Sequence, residues 1–450
     1  MAATTTLETD NMKALVLRLA LPSMVAQFVS VLYSIVDRMY IGNIPVVGAE
    51  ALAGVGICGP IVTMISAFAF LIGIGGGPLV SIRLGQKRER AAEQILSNCF
   101  VLLVGIALLV MAIVYLLKDG LLRWFGASEA IFPYADAYFS IYVAGTLFAL
   151  LATGMNQFII CQGYSRTAMI SVLLGAVCNI ILDPIFIFVF HMGVAGAATA
   201  TVLSQLFSCL FVLRFLFSDK PALRIRRVRR LNLKIARNVC ALGLSPFLII
   251  AFDNVMLIAL NAVITKYGAG GEGDVLLTCN TILQSFMLMI TMPLGGITSG
   301  TQTILGYNFG ARRRDRIVSA QKWILVIALT FTLLMFALAQ TASQYFIMIF
   351  TRDAALVSTT RALIRTYTLA VPFLTLNYVI VDGFTGMGLY KYALPLSAWR
   401  KVIYFACVFL LPALFGIRAV FWSEVFSDVL GPLASVLVYL TLGRKLLRQL

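Results

Sequence analysis

Twelve membrane-spanning α-helices, arranged as two parallel six-helix repeats, are the fold class that three features of this 450-residue sequence predict. Hydrophobic residues make up 60% of the chain and charged residues only 12%, more apolar surface than a soluble core requires. Twelve apolar stretches are long enough to cross a hydrocarbon layer about 30 Å thick, for which about 20 helical residues suffice. The second half of the chain also repeats landmarks of the first.

The spans fall near 14–42, 51–81, 94–117, 134–160, 167–190 and 193–217 in the first half, and near 236–264, 275–305, 317–340, 362–386, 391–415 and 417–442 in the second. Between Asp353 and Arg365 an amphipathic segment is expected to lie along the outer surface before the tenth span. The net charge of +16 is distributed by side. With the N-terminus inside, the inner loops collect Lys87, Arg88 and Arg90, the run from Lys220 to Arg237, the run from Arg312 to Lys322, and Arg444, Lys445 and Arg448. The outer side keeps Lys118, Arg123, Lys266, Arg352, Arg361, Arg365 and Arg418. By the positive-inside rule both termini are cytoplasmic, and the basic balance reports topology rather than nucleic acid. The expected location is the plasma (inner) membrane, multi-pass. The N-terminal MAATTTLETD lacks the basic region, short apolar core and small-residue site of a removable signal, so the first span is expected to be mature.

The repeat is legible at several positions. Leu84-Gly85-Gln86-Lys87-Arg88 follows the second span and Phe309-Gly310-Ala311-Arg312-Arg313 follows the eighth, half the chain length apart. The same shift relates Phe125 to Phe350, Gly163 to Gly388 and Ala168 to Ala393; within one or two residues it also relates Pro22 to Pro246 and Gly193 to Gly416. Six spans per half is an even number, so the repeats are parallel about an axis along the membrane normal. The expected units are 1–217, a basic cytoplasmic linker at 218–234 with Arg224, Arg226, Arg227, Arg229 and Arg230, and 235–450. The linker reads as a tether that sets topology. The eight cysteines all lie in apolar segments without a CxxC pair and read as core residues.

The chemistry sits where charge enters the apolar runs. Asp183 lies in Asn179-Ile-Ile-Leu-Asp183-Pro184, where an ionisable group costs about 2.5–3.5 kcal/mol on insertion scales and marks function. Asn179 and Asp183 share a helical face, and Pro184 frees the carbonyl of Ile180. The first span carries Ser23, Gln27, Ser30, Ser34 and Asp37 on one face, with Arg38 pointing about 100° away. The serines suit helix packing; Asp37 does not. Counted along their helices, Asp37, Asp183 and Thr201 reach similar depths, roughly 8–10 Å below the outer end. Asp37, Asn179, Asp183 and Thr201 can therefore line one oxygen-rich pocket for a proton or a hard monovalent cation such as Na+.

Further candidates are spread along both halves. Gln27, Ser34 and Asn156 in the first half, and Gln284, Met287, Tyr378 and Asp382 in the second, are candidates to face a substrate. Asn280, Gln284, Met287 and Thr291 share one face of the eighth span. Asp253, Arg400, Lys401, Glu424 and Asp428 also stand within apolar spans, and Arg400 is placed to pair with Glu424. The position half a chain from Asp183 is Val408, so the halves are not equivalent and the coupling ion is expected in the first. Enzyme signals are weak: Gly73-Ile-Gly-Gly-Gly-Pro78 lacks the Lys and Ser/Thr of a phosphate loop, and the one histidine, His191, has no paired cysteines for zinc. No cofactor is expected.

Ile35-Val-Asp37 with Tyr40-Ile-Gly42, Gly163, Asn179-x-x-x-Asp183-Pro184 and Gly193-Val-Ala-Gly-Ala-Ala-Thr-Ala-Thr201 together resemble the multidrug and toxic compound extrusion (MATE) family, near its MepA-type bacterial branch. The resemblance covers essentially the whole chain. It implies two six-helix lobes around a central cavity, and export of cationic, amphipathic drugs in exchange for Na+ or H+, with a role in antibiotic resistance. It carries the first-lobe cation site onto Asp37, Asn179, Asp183 and Thr201. The family's second-lobe acids match Asp253 and Asp382 only loosely. Expected partners are small cationic drugs and membrane lipids, with no nucleic acid, for a monomeric chain. The alternatives are a flippase for lipid-linked oligosaccharides, which needs a cationic cavity, and a membrane-embedded enzyme.

Overall fold

The computed structural model describes residues 7–8, 11–226, 231–268, 272–443 and 445, and their regular structure is entirely helical. Arg227, Arg229 and Arg230 of the linker, Arg444 and Arg448, and most of the N-terminal decapeptide lie outside the described residues. Helix starts follow local chemistry. Asn11 caps the first span, Met12–Gly42, by accepting from the Lys13 amide at 3.0 Å. Asn232 accepts from the amides of Lys234 and Ile235 to open the seventh span, Leu233–Tyr267. Helix ends turn on residues with positive φ: Lys87 at 59° and Arg312 at 57°, then Gly163 at 90° and Gly388 at 76°. Each pair stands at equivalent positions of the repeat, so the duplication extends to the backbone of the loops.

Among the described residues, ten helices are long and apolar enough to span a membrane. Two further spans are bent pairs: Phe132–Ala144 with Thr146–Ile160 at 55°, and Ala354–Tyr367 with Val371–Gly386 at 47°. The fourth and tenth spans are thus broken at matching places in the two halves. This corrects the continuous helix expected over 134–160, and it makes the amphipathic segment before the tenth span that span's first arm. The twelfth span also changes character along its length, with a 3-10 turn at Ile417–Trp422, an α-helix at Ser423–Val438 and a π-turn at Tyr439–Gly443.

The halves meet through the first span on the eighth, Glu272–Gly310, and the second, Gly48–Gly85, on the seventh. Bare glycine allows this approach. A Cβ on Gly243 would stand 1.8 Å from the carbonyl oxygen of Leu71, and one on Gly85 would stand 1.9 Å from that of Tyr307. Both contacts, with those of Gly296 and Gly300 against Ser23, fall in the halves of their helices nearer the Lys/Arg-rich end. At that basic end Glu8 pairs with Arg313, and Lys13 lies over the Trp323 ring.

The described part of the linker is docked rather than loose. In Leu223-Arg224-Ile225-Arg226, the alternation buries Leu223 and Ile225 and turns the arginines outward. Gln162 accepts from the Leu223 amide at 2.8 Å, Ser97 from the Arg226 amide at 2.9 Å, and Arg226 pairs with Glu93.

Candidate functional site

The fifth span, Ser165–Pro184, continues as a π-turn over Ile185–Val189. Pro184 has no N–H for the α ladder, and the wider turn begins where the ladder is interrupted. This chain geometry presents Asp183 to the interior, fully buried, one helical turn from Asn179 at 2% exposure. The Asn179 amide donates to Asp183 Oδ1 at 3.0 Å and approaches Thr201 Oγ1, on the sixth span Gly193–Phe217, at 3.4 Å. Asp37 comes from the first span, and its carboxyl lies within hydrogen-bonding reach of that of Asp183. All four residues expected to form one pocket are therefore brought together.

Three oxygens in this cluster accept no hydrogen bond among the described residues: Asp37 Oδ1, Asn179 Oδ1 and Asp183 Oδ2. Each is buried on a different residue. Arg38 is exposed and forms no ion pair among the described residues, so it acts on Asp37 only through its field and not as a direct partner. Two carboxylates with no basic partner leave a buried centre whose spare valence is all oxygen, suited to a proton or a hard monovalent cation.

The surrounding shell contains groups the sequence reasoning passed over. Tyr138 and Tyr142 stack at 6.2 Å between centroids on the first arm of the fourth span, and Tyr142 reaches Gln205 of the sixth. Tyr33 stands beside Asp37. The available signal was spacing: Tyr33 is four before Asp37, Gln205 four after Thr201, and Tyr138 four before Tyr142.

The residues expected to face a substrate are not gathered in one place. Gln27 and Asn156 line a cavity of about 40 Å3 with Ser23 and Ser30, closed by Gly296 and Ser299 of the eighth span. That space holds a water or two. Asn156 also donates to the Ala168 carbonyl and accepts from Ser171, which ties the fourth span to the fifth. Ser34 is exposed and donates to the Ser30 carbonyl of its own helix. The polar face of the eighth span turns into its own half: Asn280 donates to Asn261, Gln284 contacts Tyr367, and Met287 is 5% exposed in an apolar cluster. Its packing neighbours are thus the seventh and tenth spans rather than a cleft between halves. Asp382 accepts from Thr298, and Tyr378, one turn earlier, lies against Gly295. Arg400 pairs with Glu424 as expected and also with Asp428, while Lys401 pairs with Asp253.

Comparison with known proteins follows the same outline. The MatE family model matches residues 22–185 and 250–410, in two stretches that together take up most of the chain. The multidrug export protein MepA of Staphylococcus aureus (strain MRSA252) is 24% identical over 436 residues, covering 95% of this chain and 93% of its own length. MepA of Staphylococcus haemolyticus (strain JCSC1435) is 26% identical over 443 residues, covering 96% and 94%. Among solved structures, the outward-facing conformation of a multidrug resistance MATE family transporter of the MOP superfamily superposes with a TM-score of 0.91 at 23% identity, covering 100% of this chain and 98% of that one. A MOP superfamily transporter from Pyrococcus furiosus, described as having a binding pocket of reversed polarity that suggests a different function, superposes with a TM-score of 0.90 at 22% identity, covering the same shares.

Proposed function

The chain belongs to the MatE family of membrane transporters, and from that premise we propose that it is a secondary active multidrug exporter, antiporting cationic amphipathic drugs against H+ or Na+ by alternating access. The names of the staphylococcal relatives support multidrug export. The observation that carries the reading is the pair of a fully buried Asp183 and a half-buried Asp37, each with a buried, unpartnered carboxyl oxygen. A cation reaching them relieves a costly concentration of negative charge. It thereby changes the packing of the first span against the fifth, which is the coupling the exchange needs.

The first span also packs on the eighth at Ser23, so a movement at Asp37 is transmitted to the contact between halves. Each unit charge carried across 100 mV exchanges about 2.3 kcal/mol, enough for one or two ions to sustain a substantial drug gradient. In this reading the basic end faces the cytoplasm with both termini, the chain sits in the inner membrane, and it acts as a monomer. A flippase of lipid-linked oligosaccharides needs a cationic cavity to hold pyrophosphate. The unpaired acids Asp37 and Asp183 favour cationic cargo; Asp253 no longer counts toward that argument, because Lys401 pairs with it.

The test is efflux of a fluorescent cation from proteoliposomes under separately imposed Na+ and pH gradients. Asp37→Asn and Asp183→Asn should each abolish gradient-driven efflux with insertion and thermal stability retained. Undiminished efflux in either variant would refute the coupling role of that acid.

A further inference from the structure

We infer that the second half holds one exchangeable proton in a buried acid pair, Glu424 and Asp428, built on the repeat-related counterpart of the first-half site. The relation follows from landmarks already given. The shift that aligns Pro22 with Pro246 places Asp37 on Asn261, and the shift that aligns Gly193 with Gly416 places Thr201 on Glu424 and Gln205 on Asp428. The half-chain shift places Tyr142 on Tyr367 and Asn179 on Tyr404. These second-half residues form one connected cluster. The Tyr367 hydroxyl donates to Glu424 Oε2 at 3.3 Å and stands 3.4 Å from the Tyr404 hydroxyl. Gln284 and Asn280 link Tyr367 onward to Asn261.

The chemistry of the counterpart differs through a guanidinium. Arg400 NH2 lies 3.3 Å from Glu424 Oε1 and its Nε lies 3.4 Å from Asp428 Oδ1. The eleventh span, Tyr390–Phe415, is locked to the twelfth by the Ser427 hydroxyl, which donates to the Arg400 carbonyl. Two further acids face the cluster, one paired with a cation and one held by a neutral hydroxyl. Lys401 of the eleventh span holds Asp253 of the seventh, and Asp382 of the tenth accepts from Thr298 of the eighth. Tyr367, Tyr378 and Tyr404 are neutral as phenols.

Two carboxylates therefore share one cation. Ionised together they leave one uncompensated negative charge where Asp428 is 0% exposed. Neither Asp428 oxygen accepts a hydrogen bond among the described residues, and Arg400 NH1 is likewise without an acceptor. A buried unpaired charge is strongly destabilising, so the cluster is stable with one more positive charge bound. A metal ion is a poor candidate, since Arg400 already stands against both acids and its positive charge opposes a second cation. A proton needs no coordination shell. Placed on one carboxyl of the pair, it leaves the other to balance Arg400. On release, the O–H bond breaks, the proton passes to water and the electron pair stays on the carboxylate.

The experiment is infrared difference spectroscopy of the full-length protein in lipid bilayers, stepped between about pH 5 and pH 9, with proton uptake counted in parallel. No drug is present, so the result stands apart from the export reading. The wild type should show a protonated-carboxyl band that Asp428→Asn removes, with uptake lowered by one proton per chain. Glu424→Gln should do the same, because it leaves a neutral Arg400–Asp428 pair, and it serves as the readout if Asp428→Asn fails to insert. The band should persist in the Asp37→Asn/Asp183→Asn double variant. A proton count unchanged in both Asp428→Asn and Glu424→Gln overturns the inference, as does a site that responds to Na+ at constant pH and not to pH.

Discussion

Gly243→Ala tests whether the contact at the basic end is a working joint. The added methyl carbon would fall 1.8 Å from the Leu71 carbonyl oxygen and 2.6 Å from its carbon, both backbone atoms that cannot rotate away. Ordinary contact needs about 3.5 Å, so the second and seventh spans must separate by about 1.7 Å. Overpacking of this kind costs about 1–3 kcal/mol. At about 1.4 kcal/mol per tenfold, the conformation with the basic ends together loses roughly a factor of five to a hundred in population against one with them apart. Spin labels at Arg90 and Asp315, exposed in the first turns of the helices Glu89–Trp124 and Arg314–Thr341, report this directly by pulsed electron resonance. The expected result is growth of a longer-distance component, with drug efflux slowed and folding intact. An unchanged distance distribution would show that the glycine contact does not set the conformational balance, and would remove the joint from the mechanism.

Other substitutions separate the parts of the design. Thr201→Ala removes the hydroxyl that faces the Asn179 amide and should weaken apparent coupling-ion affinity about five- to tenfold, at roughly 1 kcal/mol for the hydrogen bond, read from efflux against ion concentration. Gln162→Ala strands the buried Leu223 amide and should lower thermal stability by about 1–3 kcal/mol without altering the KM for drug. Arg400→Met leaves Glu424 and Asp428 without their cation and should destabilise the second half by about 3–5 kcal/mol, measured as lost monodisperse protein after extraction.

The sequence shows the spans, the duplication and the first-half acid site because each rests on one-dimensional signals: apolar run length, a constant shift, and depth counted along a helix. Asp37, Asn179, Asp183 and Thr201 meet as that counting requires. The breaks are harder to see. Gly145, at the bend of the fourth span, sits in an apolar run with no proline, where a glycine reads equally well as helix packing. Pro372, at the start of the tenth span's second arm, is a stronger signal, since proline favours the first turn and disfavours helix before it. The polar face of the eighth span was legible as a face. Which neighbours it meets was not, because that depends on how the bent tenth span carries Tyr367 toward Gln284.

The two halves show how one backbone plan supports different electrostatics. They share the bend in the fourth element and the positive-φ turns at Lys87 and Arg312 and at Gly163 and Gly388, so the scaffold is common. In the first half the acids stand on the first and fifth spans, and no basic residue pairs with them among the described residues. In the second half Asn261 replaces the first-span acid, Val408 occupies the position matching Asp183, and two acids on the twelfth span enclose Arg400. At these two clusters the charge to be neutralised is therefore two in the first half and one in the second. A site with two unpaired acids changes its charge each time a cation arrives or leaves, and its span moves against its neighbours accordingly. A site already spanned by a guanidinium also gains one uncompensated charge when its proton leaves, but Arg400 and the Ser427 hydroxyl still tie its eleventh and twelfth spans together. Under the proposed exchange, ion-driven movement would be concentrated in the first half, whose two acids stand on spans that no ion pair among the described residues ties together, while the second half would supply the more rigid wall against which the first span works.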